Sequence, residues 1–190
     1  MFLLVFFILI SHSSANSVFE FCVAELSQPR GPSGLVVRDN AKNLSSSISI
    51  LHNVETSQFP GLNGMGISMA QQHLMVGGVV PIHTHRVCEV FHVHEGTILT
   101  GFIDTNNKAY YKTLNKGEIM IMPPTLMHFL VNVGSTPVLA FSTFASENRG
   151  TQVVNNAFYG GNLPSDLVEK ITLLDPSLVH KFKKLFGGTN

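Results

Sequence analysis

His83 and His85 stand one residue apart, Glu89 follows four residues after the second, and His128 lies in a separate segment behind Pro123-Pro124. On an extended strand the side chains at i and i+2 project to the same face, so both imidazoles of the His-x-His pair reach one point. Beyond the short Arg86-Val87 turn, Glu89 brings a carboxylate toward that point. His128 opens another strand, which supplies a third imidazole. Three neutral imidazoles and one carboxylate form a borderline-to-hard donor set that suits manganese, iron or zinc, and an octahedral ion held this way keeps two positions for water or substrate. Donor types alone do not choose among these metals.

The other histidines and the cysteines read differently. His92-Val93-His94 is a second His-x-His pair, but parity along the strand from Glu89 turns both rings to the opposite face, as a packed or interface pair. A second metal site or a pH-responsive one is the alternative. His52, His73 and His180 have no partner pattern and read as structural residues, and His12 falls in the leader described below. Cys22 and Cys88 are the only cysteines. In an oxidising compartment they would have the chemistry for one disulfide, yet sequence does not show whether their Cα atoms lie within the roughly 4.4–6.8 Å that a bridge needs. Cys88 neighbours Glu89, so strand parity points its thiol away from the metal. A ligating thiolate there would favour zinc.

The elements that must position these donors are mostly strands. Val79 to His85, Glu89 to His94, Thr97 to Ile103, Ala109 to Leu114, Glu118 to Met122 and His128 to Val133 are β-rich runs. Between them lie Gly77-Gly78, Glu95-Gly96, Asp104 to Asn107, Asn115 to Gly117, Pro123-Pro124 and Gly134-Ser135 as turn punctuation. A strand every ~8–12 residues is the rhythm of an all-β sandwich or barrel. Near the C-terminus the pattern becomes helical. Ser165-Asp166 caps a short helix through Leu173, with Leu167, Val168 and Ile171 on its apolar side. Asp175-Pro176 starts a second helix that Gly187 stops, with an apolar stripe of Leu178, Val179, Phe182, Leu185 and Phe186. Lys181, Lys183 and Lys184 read as its solvated basic face.

Bulk properties narrow the classes. Phe2 to Ile10 is an unbroken apolar run, shorter than the about 20 residues of a membrane span. Small polar residues follow it, with Ser13-Ser14-Ala15 as a cleavable small-x-small site, so residues 1–17 read as a signal peptide and 18–190 as one domain. Twelve basic and twelve acidic residues cancel, with no positive footprint for nucleic acid, and no second stretch is long enough to cross a membrane. Asn43-Leu44-Ser45 is an N-glycosylation acceptor that operates only in the secretory pathway.

Spacing around the donors carries a resemblance. Gly77 precedes His83, Gly96 follows Glu89, and Gly117, Pro123, His128 and Asn132 recur at the separations of a second half-motif. The two halves resemble the paired cupin motifs at every metal position, with Thr125 where the second usually has glycine. Phe21 to Leu26, Pro29 to Gly34, Phe59 to Gly64, Lys116 to Glu118, His128-Phe129, Asn132 to Gly134 and Leu163-Pro164 narrow the resemblance to germin-like proteins over nearly all of the mature chain. Within that family the chain looks closest to auxin-binding-protein-like members. The resemblance implies a cupin jelly-roll β-barrel over about 60–145 with short C-terminal α-helices over about 165–187. It also implies manganese at His83, His85, Glu89 and His128, an extracellular wall or apoplast setting, and a homo-hexamer in which terminal helices clasp neighbours.

Departures from the family shape the functional expectation. Val37 stands where germins carry a second N-terminal cysteine, which removes the usual disulfide partner of Cys22. Ala70 and Val80 stand where oxalate oxidases place asparagines near their substrate; methyl groups cannot hydrogen-bond a dianion, so oxalate oxidase activity is not expected. The resemblance implies superoxide dismutation at manganese, in a defence setting. The alternatives are a module that binds a small aromatic acid such as auxin, with Met120, Met122 and Phe129 lining its lumen, and a structural wall glycoprotein whose metal stabilises the oligomer.

Overall fold

A computed structural model of the chain describes residues 60–189 together with the backbone of 35–36 and 49–54. Residues 1–17, Cys22, Val37 and Asn43 lie outside the described residues.

Among the described residues, eleven strands make two sheets. Strands β1 (Leu35–Val36), β2 (Ser49–Val54), β3 (Ser68–Leu74), β10 (Val138–Phe144), β5 (Glu89–Glu95) and β8 (Ile119–Met122) are neighbours in that order. The second sheet runs β11 (Gln152–Val153), β4 (Val79–Thr84), β9 (Met127–Asn132), β6 (Thr97–Ile103) and β7 (Ala109–Asn115). All pairings are antiparallel. Three helices follow: α1 (Val154–Tyr159), α2 (Ser165–Thr172) and α3 (Pro176–Phe186). This is the all-β architecture with terminal helices that the strand rhythm and the helical C-terminal pattern lead one to expect. Strands β3 and β10, at the centre of the six-stranded sheet, and helix α1 add to the runs named from sequence.

Strict alternation builds the core. β10 buries every second residue, and β5 buries Glu89, Phe91 and Val93 while turning Val90 outward. Leu74, Phe91, Val93, Ile98, Leu114, Met122, Leu130, Val138 and Ala140 pack together between the sheets, each removing apolar area from water. Met120 packs against this cluster, as expected of a lumen residue. Phe129 does not: β9 turns His128, Leu130 and Asn132 inward, so its Phe129 lies on the other face. Parity from His128 carries that correction.

The barrel end away from the histidines is tied by Asn132. Its side-chain amide donates to the carbonyl oxygens of Leu74 (3.0 Å), Met75 (3.0 Å) and Thr136 (2.9 Å), and its Oδ1 accepts from the Gly134 N–H at 2.9 Å. Its backbone bonds Gly78 and Gly77 as well. At the same end Gly96 holds φ 88°, where an added Cβ would lie 2.8 Å from the Pro137 carbonyl oxygen. Only glycine fits there.

The helices form a second cluster, with Tyr159, Val168 and Val179 at its centre and Phe158, Leu163, Leu174, Phe182 and Phe186 around them. Asp175 caps α3 by accepting from the Ser177 N–H at 2.8 Å, and Gly187 ends it in the left-handed region. Pro164 rather than Ser165 is the N-cap of α2. Leu167, Ile171 and Leu178 are exposed, so the apolar sides of both helices are narrower than their spacing suggests. Lys183 departs further from expectation. It is 2% exposed, and its ammonium donates to the carbonyl oxygens of Gly161, Leu163 and Thr189, whereas Lys181 and Lys184 are exposed. A long apolar stem and three donors let lysine serve as a buried tie among backbone carbonyls.

Replacing Asn132 with alanine strands several buried carbonyl groups at once. The Asn132→Ala variant is expected to lose about 3 kcal/mol of stability, read as a lowered urea midpoint; an unchanged midpoint would refute the tie.

Candidate metal centre

His83 closes the inner face of β4, and His128 sits directly opposite it on β9. The two rings have centroids 4.1 Å apart. The pairing shifts register between Val80 and His83, and this irregularity lets Val80 pack on the core while His83, three residues on, also faces inward. His85 lies just past the end of β4, where the Thr125 N–H donates to its carbonyl oxygen at 2.8 Å. Thr125 holds φ 66°, a left-handed conformation costly for a β-branched residue. The backbone thus keeps the turn that glycine normally makes at this motif position. Glu89 is the first residue of β5, in the other sheet.

The structure brings all four sequence-predicted donors together. His83, His85, Glu89 and His128 are buried, and one ligand atom from each lies within 4.8 Å of the others. Glu89 Oε1 accepts from the Ser142 hydroxyl at 2.5 Å, and that hydroxyl accepts from Gln72 Nε2 at 2.7 Å. Glu89 Oε2 faces His128 Nε2 at 3.2 Å and His85 Nε2 at 3.6 Å. Neither this oxygen nor His128 Nε2 makes a hydrogen bond, although both are buried. Buried polar atoms left this way are costly, and a cation between them satisfies both. The donor set therefore fits a divalent metal ion.

Outer partners aim the imidazoles. His83 Nδ1 lies 2.8 Å from the Pro81 carbonyl oxygen and His128 Nδ1 2.8 Å from that of Leu126. A carbonyl only accepts, so each Nδ1 carries the hydrogen and each Nε2 presents its lone pair inward. His85 Nδ1 instead meets the Thr151 hydroxyl at 3.1 Å.

The same burial sets the protonation. Burial, then the neighbouring His128, pushes His83 down to about 4, against the pull of the Pro81 carbonyl and Glu89. Burial likewise pushes His85 down to about 3, opposed by Glu89 and reinforced by His83, His128 and Arg149. For Glu89, burial pushes the carboxyl up, but His128, Ser142 and His85 outweigh it and hold the carboxyl below its ordinary value. Neutral imidazoles beside a carboxylate are the protonation state that a metal ion requires.

Other residues singled out by sequence fall elsewhere. Cys88 is half-buried and outside the group of four; its thiol lies 3.9 Å from the Glu89 carbonyl oxygen. His92 and His94 lie on the outer face of β5, with rings 6.4 Å apart and His94 against Phe141. His73 pairs with Gln71 at 2.9 Å, and His180 is exposed. Ala70 is buried on the inner face of β3, and no polar side chain occupies either its position or that of Val80. Sequence reading missed Ser142, Gln72, Thr151 and Arg149. The first two carry a signal: each is a polar residue at an inward position of an otherwise apolar alternation, Val138, Ala140, Ser142, Phe144 and Ala70, Gln72, Leu74.

The family model described as Cupin matches residues 36–180. Auxin-binding protein ABP19a of Prunus persica is 42% identical over 97% of this chain and 96% of that protein. Germin-like protein subfamily 3 member 3 of Arabidopsis thaliana is 40% identical over 98% and 97%. Among solved structures, an oxalate oxidase superposes with a TM-score of 0.71 at 31% identity, covering 74% of each chain.

Acid should weaken the metal-free protein through the histidines. The unfolded chain takes up protons near pH 6.5, whereas folded His83 and His85 resist them until about 4 and 3. Stability is then fully present above pH 6.5 and falls as pH drops toward the folded values. Denaturant midpoints of the metal-free protein should decline from pH 7 to 4.5; a flat profile would contradict neutral, buried imidazoles.

Proposed function

The chain belongs to the cupin family and, within it, to the germin-like proteins, and on that premise we propose that it is a secreted manganese-binding protein that dismutates superoxide and does not oxidise oxalate. The observation that carries this reading is the buried Glu89 oxygen, without a hydrogen bond, facing three inward imidazoles. His83, His85, Glu89 and His128 would hold the ion. Manganese, when bound, supplies a one-electron couple that superoxide can both reduce and oxidise. The chain's own part is to keep His83 and His85 neutral through burial and to hold the carboxylate through Ser142 and Gln72. Val80, Met120 and Phe102 pack against the apolar core between the sheets.

Ala70 and Val80 support the exclusion of oxalate, because neither can donate a hydrogen bond to a second carboxylate. The apolar run of residues 2–10 supports secretion, with 1–17 removed and Asn43 a glycan acceptor. Among the described residues no helix is long and apolar enough to cross a membrane. The homo-hexamer implied by the family resemblance is supported by exposed Val90, Ile119 and Ile121 on the outer face of the six-stranded sheet. A second reading, binding of an auxin-like aromatic acid, is favoured by the likeness to the peach auxin-binding proteins.

Elemental analysis of the secreted protein should find manganese, and His83→Ala should lower its affinity by more than the about 10–100-fold that loss of an outer partner costs. Superoxide turnover should vanish when the metal is stripped and return with manganese. Turnover that persists in metal-free protein, or His83→Ala with undiminished occupancy, would overturn the proposal. Calorimetric heat with auxin in a protein inactive toward superoxide would favour the second reading instead.

A further inference from the structure

Resting on the metal reading above, we propose that Thr151 and Arg149 form the outer support of His85, with Arg149 a positioning residue that fixes the Thr151 hydroxyl and lays a positive charge beside the bound cation. The three imidazoles are not supported alike. His83 and His128 each rest on a carbonyl oxygen two residues earlier in their own segment. His85 stands in the turn beyond β4 and takes its partner from a segment 66 residues away. β11 brings that partner: Gln152 pairs with Thr84 and Val153 with His83, so one step further along the antiparallel register Thr151 falls opposite His85. The Arg86 N–H donates to the Arg149 carbonyl oxygen at 2.9 Å, which pins the loop from its other side.

A hydroxyl both donates and accepts, so Thr151 alone would hold His85 less firmly than a carbonyl does. Arg149 Nε donates to Thr151 Oγ1 at 2.8 Å and occupies one of its lone pairs. With His85 Nε2 on a cation, its Nδ1 carries the hydrogen and donates to the lone pair that remains. Arg149 reaches His85 by a second route as well. Its guanidinium lies 4.9 Å over the Phe144 ring, and Phe144 meets the His85 ring edge to face at 4.8 Å. The arginine is 5% exposed, and its charge is felt at His83 and His85. A fixed positive charge so placed repels a trivalent ion more than a divalent one, so Arg149 biases the site toward the divalent state.

The test uses the full chain loaded with manganese, with folding checked by circular dichroism. Thr151→Val keeps the shape and removes the hydroxyl; it should weaken Mn(II) binding about 10–100-fold and alter the Mn(II) paramagnetic resonance spectrum, while Thr151→Ser restores both. Arg149→Met should shift the Mn(III)/Mn(II) midpoint to a lower potential, and Arg149→Lys should shift it less. Should Arg149→Met not fold, the Thr151→Val and Thr151→Ser pair decides. Thr151→Val that binds manganese as tightly as wild type, with an unchanged spectrum, overturns the inference. An Arg149→Met midpoint equal to wild type overturns the role given to the charge. Wild-type protein that folds but takes up no manganese defeats the metal reading itself; wild type that binds while His83→Ala does not, with Thr151→Val unaffected, defeats this inference alone.

Discussion

A carboxylate sealed among three buried imidazoles is the constraint on which the barrel depends. Removing a charge from water costs several kcal/mol unless partners replace the lost hydration, and Ser142 serves only one of the two Glu89 oxygens. A cation between them satisfies the other oxygen and His128 Nε2 together. His83 and His128 come from one sheet and Glu89 from the other, so an ion here is also a cross-link between sheets. Ligand and fold are linked by the same free energy, since whatever binds the folded state alone stabilises it.

The two barrel ends divide the work. Near the histidines the backbone is irregular: a register shift in β4, a left-handed threonine, and a turn that leaves His85 beyond its strand. At the other end Asn132 draws three carbonyl groups together, and the tie involves no donor of the centre. The helices repeat the device with Lys183, whose ammonium gathers carbonyl groups from the segment before α2 and from the chain end. Each tie places one polar side chain where several backbone acceptors converge, and so satisfies the groups that a loop buries.

Much of this was legible in the sequence because strands obey a period of two. Parity put His83 and His85 on one face and turned His92 and His94 away from Glu89, and the structure has them so. Asp175-Pro176 and Gly187 marked the ends of α3 because capping chemistry is local. What escaped notice was of two kinds. Ser142, Gln72 and Thr151 act across 53 to 70 residues of chain; only the inward parity of Ser142 and Gln72 in apolar strands marks them locally, and nothing local marks Thr151. Phe129 and Lys183 depart from expectation for a different reason: in each, side-chain character and chain position point opposite ways. Phe129 is apolar yet turns away from the core, and Lys183 is charged yet buried, because the chain end folds back to meet it.

Thr125 bears on how such chains are found. Its left-handed backbone and the bond from its N–H to the His85 carbonyl show that the turn demands an angle and a donor, not a missing side chain. Glycine meets that demand at little cost, and threonine meets it at about 1–2 kcal/mol of local strain. A search pattern that insists on glycine at this slot would pass over a chain that keeps all four donors in place. Scoring the slot by torsion, and the donors by identity, would retrieve it.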